Sequence, residues 1–149
     1  MKDTQMKTAS TIIKIDHDQI RKLFDQYNST QDPKEKESLV QSIVQKLYWH
    51  ARFEQEVFFP GIKNALDDEA SFENALAETE AIKLLIDKLQ RLFADFDKKQ
   101  YTESLDQLKT LVLKHMDNEE NLLPTLKGSE LDTTMGQQFA ANNPEHTLP

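Results

Sequence analysis

The 149-residue chain has no cysteine and only three glycines. The first absence excludes disulfides, thiolate zinc sites, iron–sulfur clusters and thiol redox chemistry. The second, beside plentiful Lys, Glu, Gln, Leu and Ala, favours helices. Positive charge is also short: eighteen basic residues face twenty-six acidic ones. The net charge of −8 argues against nucleic acid or an anionic membrane as a main partner. No stretch approaches eighteen consecutive apolar residues, and the N-terminal MKDTQMKTAS lacks the apolar segment of a secretory signal. The expected location is cytoplasmic. A Gly-rich phosphate loop is absent, and no Ser/His/Asp nucleophilic arrangement stands out. The length fits one domain, able to bury roughly two-thirds of the surface its unfolded chain exposes.

What is present is helical periodicity. Ile13, His17, Ile20, Phe24 and Tyr27 recur at spacings of four and three, so they share one face of a first helix, capped by Thr8 or Ser10. NSTQDP ends it. Asp32 then reads as an N-cap, Pro33 as the first helical position and Glu35 as the residue closing a capping box. The second helix stripes Leu39, Ile43, Leu47, His50, Glu54 and Val57, and Pro60 should kink or end it. A third helix starts at Asp67 and Asp68 and carries Leu76, Thr79, Ile82, Ile86, Leu89, Phe93 and Phe96. A fourth, from about Thr102, carries Leu105, Leu108, Val112, His115, Glu119 and Leu122; Pro124 disturbs it and Gly128 stops it. The fold class this predicts is all-α, an up-down-up-down antiparallel four-helix bundle over residues 1–128. Residues 129–149 lose the periodicity and read as a mobile or loosely docked tail.

Two of the stripes contain His-x-x-x-Glu, in HARFEQEVFFP at 50–60 and HMDNEENLLP at 115–124. A His and a Glu four apart project from one side of a helix, one turn apart. On an inner face both would lose water, and a buried unpaired charge is costly. A cation compensates directly, because it takes neutral imidazole nitrogen and carboxylate oxygen as ligands. With His17 on a third inner stripe, three nitrogens and two carboxylates capable of bridging share one cavity. A mixed N/O set without sulfur suits iron, with manganese or zinc as the less favoured fits.

Each residue also has a plainer reading. A single histidine on an apolar face is more often a hydrogen-bonded core residue, and His-x-x-x-Glu alone is often a surface pair. It is the convergence of three of the four histidines that points to metal. His146 reads as a solvated tail residue. Asp16 and Asp18 flank His17, and one of them is a candidate to orient an imidazole from behind. Glu56 and Glu120 read as solvated faces. Tyr48, Trp49, Phe53, Phe58 and Phe59 read as packing, the phenylalanines also suited to keep a cavity dry.

Taken in order, IDHDQIRKLF, HARFEQEVFFP, AETEAIKLLIDKL and KHMDNEENLLP resemble the hemerythrin-like, or HHE cation-binding, domain family over about residues 10–127. The resemblance implies a four-helix bundle around a carboxylate- and oxo-bridged di-iron centre that binds or senses dioxygen or nitric oxide, or handles iron or peroxide. It implies His17 and His50 as ligands of one iron, His115 as ligand of the second, and Glu54 and Glu119 as bridges. A further histidine belongs on the third helix, where this chain has Ala77-Glu78-Thr79-Glu80 and Thr79 stands in its place. Three arrangements answer that gap. Glu78 swings in as an oxygen ligand, water fills the position, or the second site is weak or empty; Glu80 lies further from the inner stripe.

The expected function is small-ligand binding or sensing at a variant non-haem iron centre, or iron handling, rather than an enzymatic turnover. Two alternatives stand beside it. One is a degenerate bundle serving as a protein-interaction or regulatory module, with a mononuclear or empty site. The other is an oxidative di-iron enzyme.

Overall fold

The computed structural model describes residues 8–63, 69–95 and 98–142. Helix α1 spans Ala9–Ser29, and Thr8 caps it by accepting the N–H of Thr11. Helix α2 spans Pro33–Phe53, with Pro33 in its first turn and the Asp32 carboxylate accepting the N–H of Lys34. The expected capping box does not close through Glu35, because the Asp32 N–H donates instead to the Thr30 hydroxyl. Pro60 acts earlier than a simple kink: Glu54–Phe58 form a π-helical turn, in which the Phe59 N–H reaches the Glu54 carbonyl five residues back. A short α3 follows at Phe59–Ile62. Such one-turn widenings re-aim side chains and recur at functional sites.

Helix α4 covers Glu69–Asp95, so the expected start at Asp67 and Asp68, like Phe96, lies outside the described residues. Helix α5 covers Lys98–Glu120, and α6 is the single turn Leu123–Leu126 around Pro124. Gly128 stops the chain with φ +83°, a left-handed value that glycine adopts without strain.

Beyond Gly128 the structure departs from the expected loose tail: Glu130–Asn142 form α7, and its Asp132, Met135 and Phe139 are buried. Its carboxylate Asp132 accepts the N–H and the hydroxyl of Ser10, at 2.7 and 2.6 Å, and the N–H of Gly128 at 3.3 Å. Phe139 packs edge-on to Phe53. Met135 lies so close over Gly61 that a Cβ there would collide with its sulfur. A stripe that contains a carboxylate hides its apolar period, which is why the helix was illegible. Residues 143–149, including His146, lie outside the described residues.

Two apolar clusters fill the interior. One holds Phe24, Val40, Ile86, Leu89 and Leu105; the other holds Ile13, Phe53, Phe72, Leu126 and Phe139. Helices α1 and α4 run from the second cluster to the first, and α2 and α5 run back, which is the up-down-up-down order. Between the clusters lies one polar layer. Among the described residues no helix is long and apolar enough to cross a membrane.

Candidate metal centre

The polar layer is made of one helical turn from each bundle helix. α1 supplies His17, α2 supplies His50 with Glu54 at its junction with the π turn, α4 supplies Thr79, and α5 supplies His115 and Glu119. All six are buried, at most 3 % exposed. Each stands where the helical period continues an apolar stripe, so the same packing that builds the core carries them inward.

The three imidazoles share one orientation. Each turns Nε2 to the centre and Nδ1 outward. Inside, Nε2 of His17 and of His50 lie 2.9 and 3.1 Å from the same Glu119 oxygen, Oε1. Nε2 of His115 lies 2.9 Å from Glu54 Oε2, which is also 3.3 Å from His50 Nε2. The Thr79 hydroxyl donates to the other Glu54 oxygen at 3.1 Å. Glu119 Oε2 is buried with no hydrogen-bond partner, and His115 Nε2 is 3.7 Å away from it. One ligand atom from each of His50, Glu54, His115 and Glu119 lies within 4.8 Å of the others.

Outside, every Nδ1 meets a carboxylate. His50 faces Asp16 at 3.0 Å, His17 faces Glu120 at 2.6 Å, and His115 faces Glu78 at 3.0 Å. Each carboxylate is anchored in turn: Asp16 by Lys46 at 3.3 Å, Glu120 by Arg21 at 2.9 Å, and Glu78 by the Asn118 amide at 2.8 Å. A carboxylate behind an imidazole fixes its tautomer with Nδ1–H outward and makes Nε2 the better donor to a metal.

The charges follow from this packing. Burial works against protonating His50, yet the Glu54 charge and the bonds to Asp16, Glu119 and Glu54 outweigh it, and its pKa stands well above the ordinary 6.5. For His115 burial is likewise outweighed, chiefly by Glu54, and the pKa rises to about 10. Burial would raise Glu54, but the His115 and His50 charges hold it well below the usual carboxylate value. Without a cation, protons on Nε2 balance the inner carboxylates. A metal ion would do the same work, since one cation can satisfy several oxygens at once.

His17, His50, Glu54, His115 and Glu119 are thus brought together as the sequence predicts, and Thr79 faces them. Glu78 is not: it sits behind His115, one residue around the helix from Thr79, and its carboxylate points at the outer nitrogen. Glu80 is further out, accepting from Gln55 at 3.1 Å. Glu120 is no solvated face, since it holds His17, whereas Glu56 does pair with Arg52 at the surface. Asp16, not Asp18, is the carboxylate behind an imidazole; Asp18 pairs with Lys14. Asp16, Glu78 and Glu120 each adjoin an inner-stripe position in sequence, but so do Asp18 and Glu80, so adjacency alone does not single them out.

The family model for the hemerythrin HHE cation-binding domain matches residues 8–126. A DNA nickase of Nostoc sp. (strain PCC 7120) is 22 % identical over 138 residues, which cover 93 % of this chain and 38 % of that protein. No solved structure matches.

Proposed function

The chain belongs to the hemerythrin HHE cation-binding family, and on that footing we propose that its polar layer holds a non-haem iron centre that binds a small ligand. The observation that carries this is Glu119. One of its oxygens serves two imidazoles, while the other is buried, unpartnered and turned toward His115. A buried oxygen of that kind calls for a cation. The donor set is three imidazole nitrogens and two carboxylates, which suits iron.

On this reading two metal positions would be available. His17, His50 and Glu119 Oε1 would serve the first, with Glu54 Oε2 at its edge. His115 and Glu119 Oε2 would serve the second, with Glu54 beside it and Thr79 where the resemblance puts a histidine. The first would have two nitrogens and the second one, so the first would bind more tightly. Bound iron supplies a Lewis-acidic and redox-active atom able to take dioxygen, nitric oxide or peroxide. The chain's own residues do the rest. Glu54 and Glu119, each with an oxygen near His115, would reach both positions. Asp16, Glu120 and Glu78 hold the imidazoles in the ligating tautomer. The phenylalanine-rich cluster with Phe53 and Phe58 excludes water on one side. The reading is of a cytoplasmic protein that binds or senses such a ligand, or handles iron.

A second reading draws on one observation: every imidazole nitrogen already has a carboxylate partner. On that reading the layer is a metal-free polar network inside a regulatory bundle. Anaerobic titration of iron(II) into wild type and Glu119→Gln, followed by elemental analysis, separates the two. Stoichiometric uptake that weakens in the variant supports the centre, and no uptake by wild type refutes it. Cleavage of DNA stays with the Nostoc protein; a net charge of −8 does not favour contact with phosphates.

A further inference from the structure

A bundle of four helices has four seams, and three of them are stopped at the level of the centre. Between α1 and α2 stands Asp16 on His50, backed by Lys46. Between α1 and α5 stands Glu120 on His17, backed by Arg21. Between α4 and α5 stands Glu78 on His115, backed by Asn118. The fourth seam, between α2 and α4, is faced at this level by the smallest side chain around the layer, Ala51.

Two spaces meet at that alanine. Inside, beside Thr79, lies a cavity of about 10 Å³ bounded by His50, Glu54, His115 and the apolar Ile82 and Val112. It has room for about one water-sized body. Outside, on the α2–α4 seam, a cleft of about 480 Å³ runs past Tyr48, Arg52, Lys83 and Asp87. Ala51 lines both. An apolar groove of about 420 Å³ further along the same two helices, at Val40, Val44 and Leu89, shares no lining residue with the inner cavity.

The mouth of the cleft is strapped. Gln55, in the π-helical turn, donates to Glu80 at 3.1 Å and accepts from Lys83 at 3.2 Å. One side chain thereby ties the end of α2 to two successive positions of α4.

We propose that a neutral ligand of one or two heavy atoms enters the centre through the α2–α4 seam at Ala51, with Gln55 as the strap that limits its opening. The route rests on reading the polar layer as an iron centre. Size is limited by the inner cavity, which holds about one water-sized body, so a diatomic must widen it on entering. Neutrality is set by its walls, since a charged ligand would lose its water passing Ala51 and Ile82 before any partner received it. Gln55 is a positioning residue: its side chain bonds to Glu80 and Lys83 and does not line the inner cavity, and it acts by holding two helices together.

The experiment is stopped-flow mixing of nitric oxide, as the neutral diatomic probe, with anaerobically iron(II)-loaded protein. Wild type, Ala51→Leu, Gln55→Ala and Val44→Leu are compared, with iron content measured on each. Ala51→Leu should slow association about tenfold and Gln55→Ala should speed it several-fold, both at unchanged iron content, because a step that must wait for helix opening limits the on-rate. Val44→Leu, in the groove that does not reach the cavity, should match wild type. One common rate for all four proteins overturns the route while leaving the iron centre standing. If Ala51→Leu fails to fold or to load, Gln55→Ala decides alone, and a rate equal to wild type overturns the proposal. Wild type that takes up no iron overturns the centre and the route together.

Discussion

Raising the pH of the metal-free protein from about 6 to about 9 should destabilise it, because protons held in the folded state are released. The perturbation acts on His50 and His115. Both have native pKa values above the ordinary 6.5, His115 at about 10. A raised native pKa means that the folded state holds protons the unfolded chain has released. The stabilisation is therefore complete below about 6.5 and is lost as pH climbs toward 10. For His115 alone, the gap from 6.5 to about 10 at about 1.4 kcal/mol per pH unit corresponds to something on the order of 5 kcal/mol. That is a large share of the roughly 5–15 kcal/mol of a typical domain. Glu54 has the opposite sign: its lowered pKa contributes above the ordinary carboxylate range and is lost in acid. The metal-free protein should be most stable between about pH 4.5 and 6.5. Metal ligation removes the Nε2 protons, so it strengthens with rising pH, and the loaded protein should hold or gain stability over the same interval. Urea denaturation followed by circular dichroism, on chelated and on anaerobically iron(II)-loaded samples, measures both slopes. A metal-free stability that is flat or rises between about pH 6 and 9 would refute the charge balance described for the layer.

Replacing His50 by Ala should lower iron stoichiometry in elemental analysis, and retention of full iron with an unchanged absorption spectrum would remove His50 from the ligand set. Thr79→His should raise occupancy of the position at His115 in an anaerobic iron titration, at a packing cost of roughly 1–3 kcal/mol; identical stoichiometry and affinity in both proteins would mean that residue 79 does not serve the metal. Glu78→Gln keeps a hydrogen-bond acceptor behind His115 but removes the charge, so affinity at that position should fall about tenfold or more with the circular dichroism spectrum unchanged. Asp132→Ala strands the buried N–H and hydroxyl of Ser10, which should lower the unfolding free energy by roughly 2–5 kcal/mol in a denaturant titration; a loss below about 0.5 kcal/mol would show that water replaces the carboxylate freely.

Much of this architecture can be read without coordinates, for one physical reason: a helix repeats its faces at a fixed period. Ile13, His17, Ile20 and Phe24 share a stripe, and so do Leu108, Val112, His115 and Glu119; all are buried as that period requires. The stops at Asp32–Pro33 and Gly128 are equally local, since they depend on side-chain and backbone geometry within a few residues. What the period cannot carry is the second set of partners. Asp16, Glu78 and Glu120 stand one residue off the inner stripe, about 100° around their helices, and reach an imidazole only because a neighbouring helix comes close enough. Nothing local marks that closeness. Glu78 shows the difficulty best: adjacency to Thr79 makes it look like a replacement ligand, whereas the packing of α5 against α4 sets it behind His115. The π-helical turn is half-legible, because Pro60 announces an irregularity without saying that the preceding turn will widen.

The bond between Asp132 and Ser10 joins residues 122 positions apart, and its consequence is a matter of time as much as of structure. During synthesis α1 emerges first, with His17 already in it, but the first turn of that helix stays incompletely satisfied until α7 has been made. Helices α1 and α2 can pair early, and α4 and α5 can pair soon after, because each hairpin is local in the chain. The carboxylate that closes the structure arrives last. Between those moments the histidine-bearing helices stand in a bundle whose end is still open. The order in which the chain is made therefore leaves the Ser10 end of α1 to be satisfied only after both hairpins have had their chance to pair.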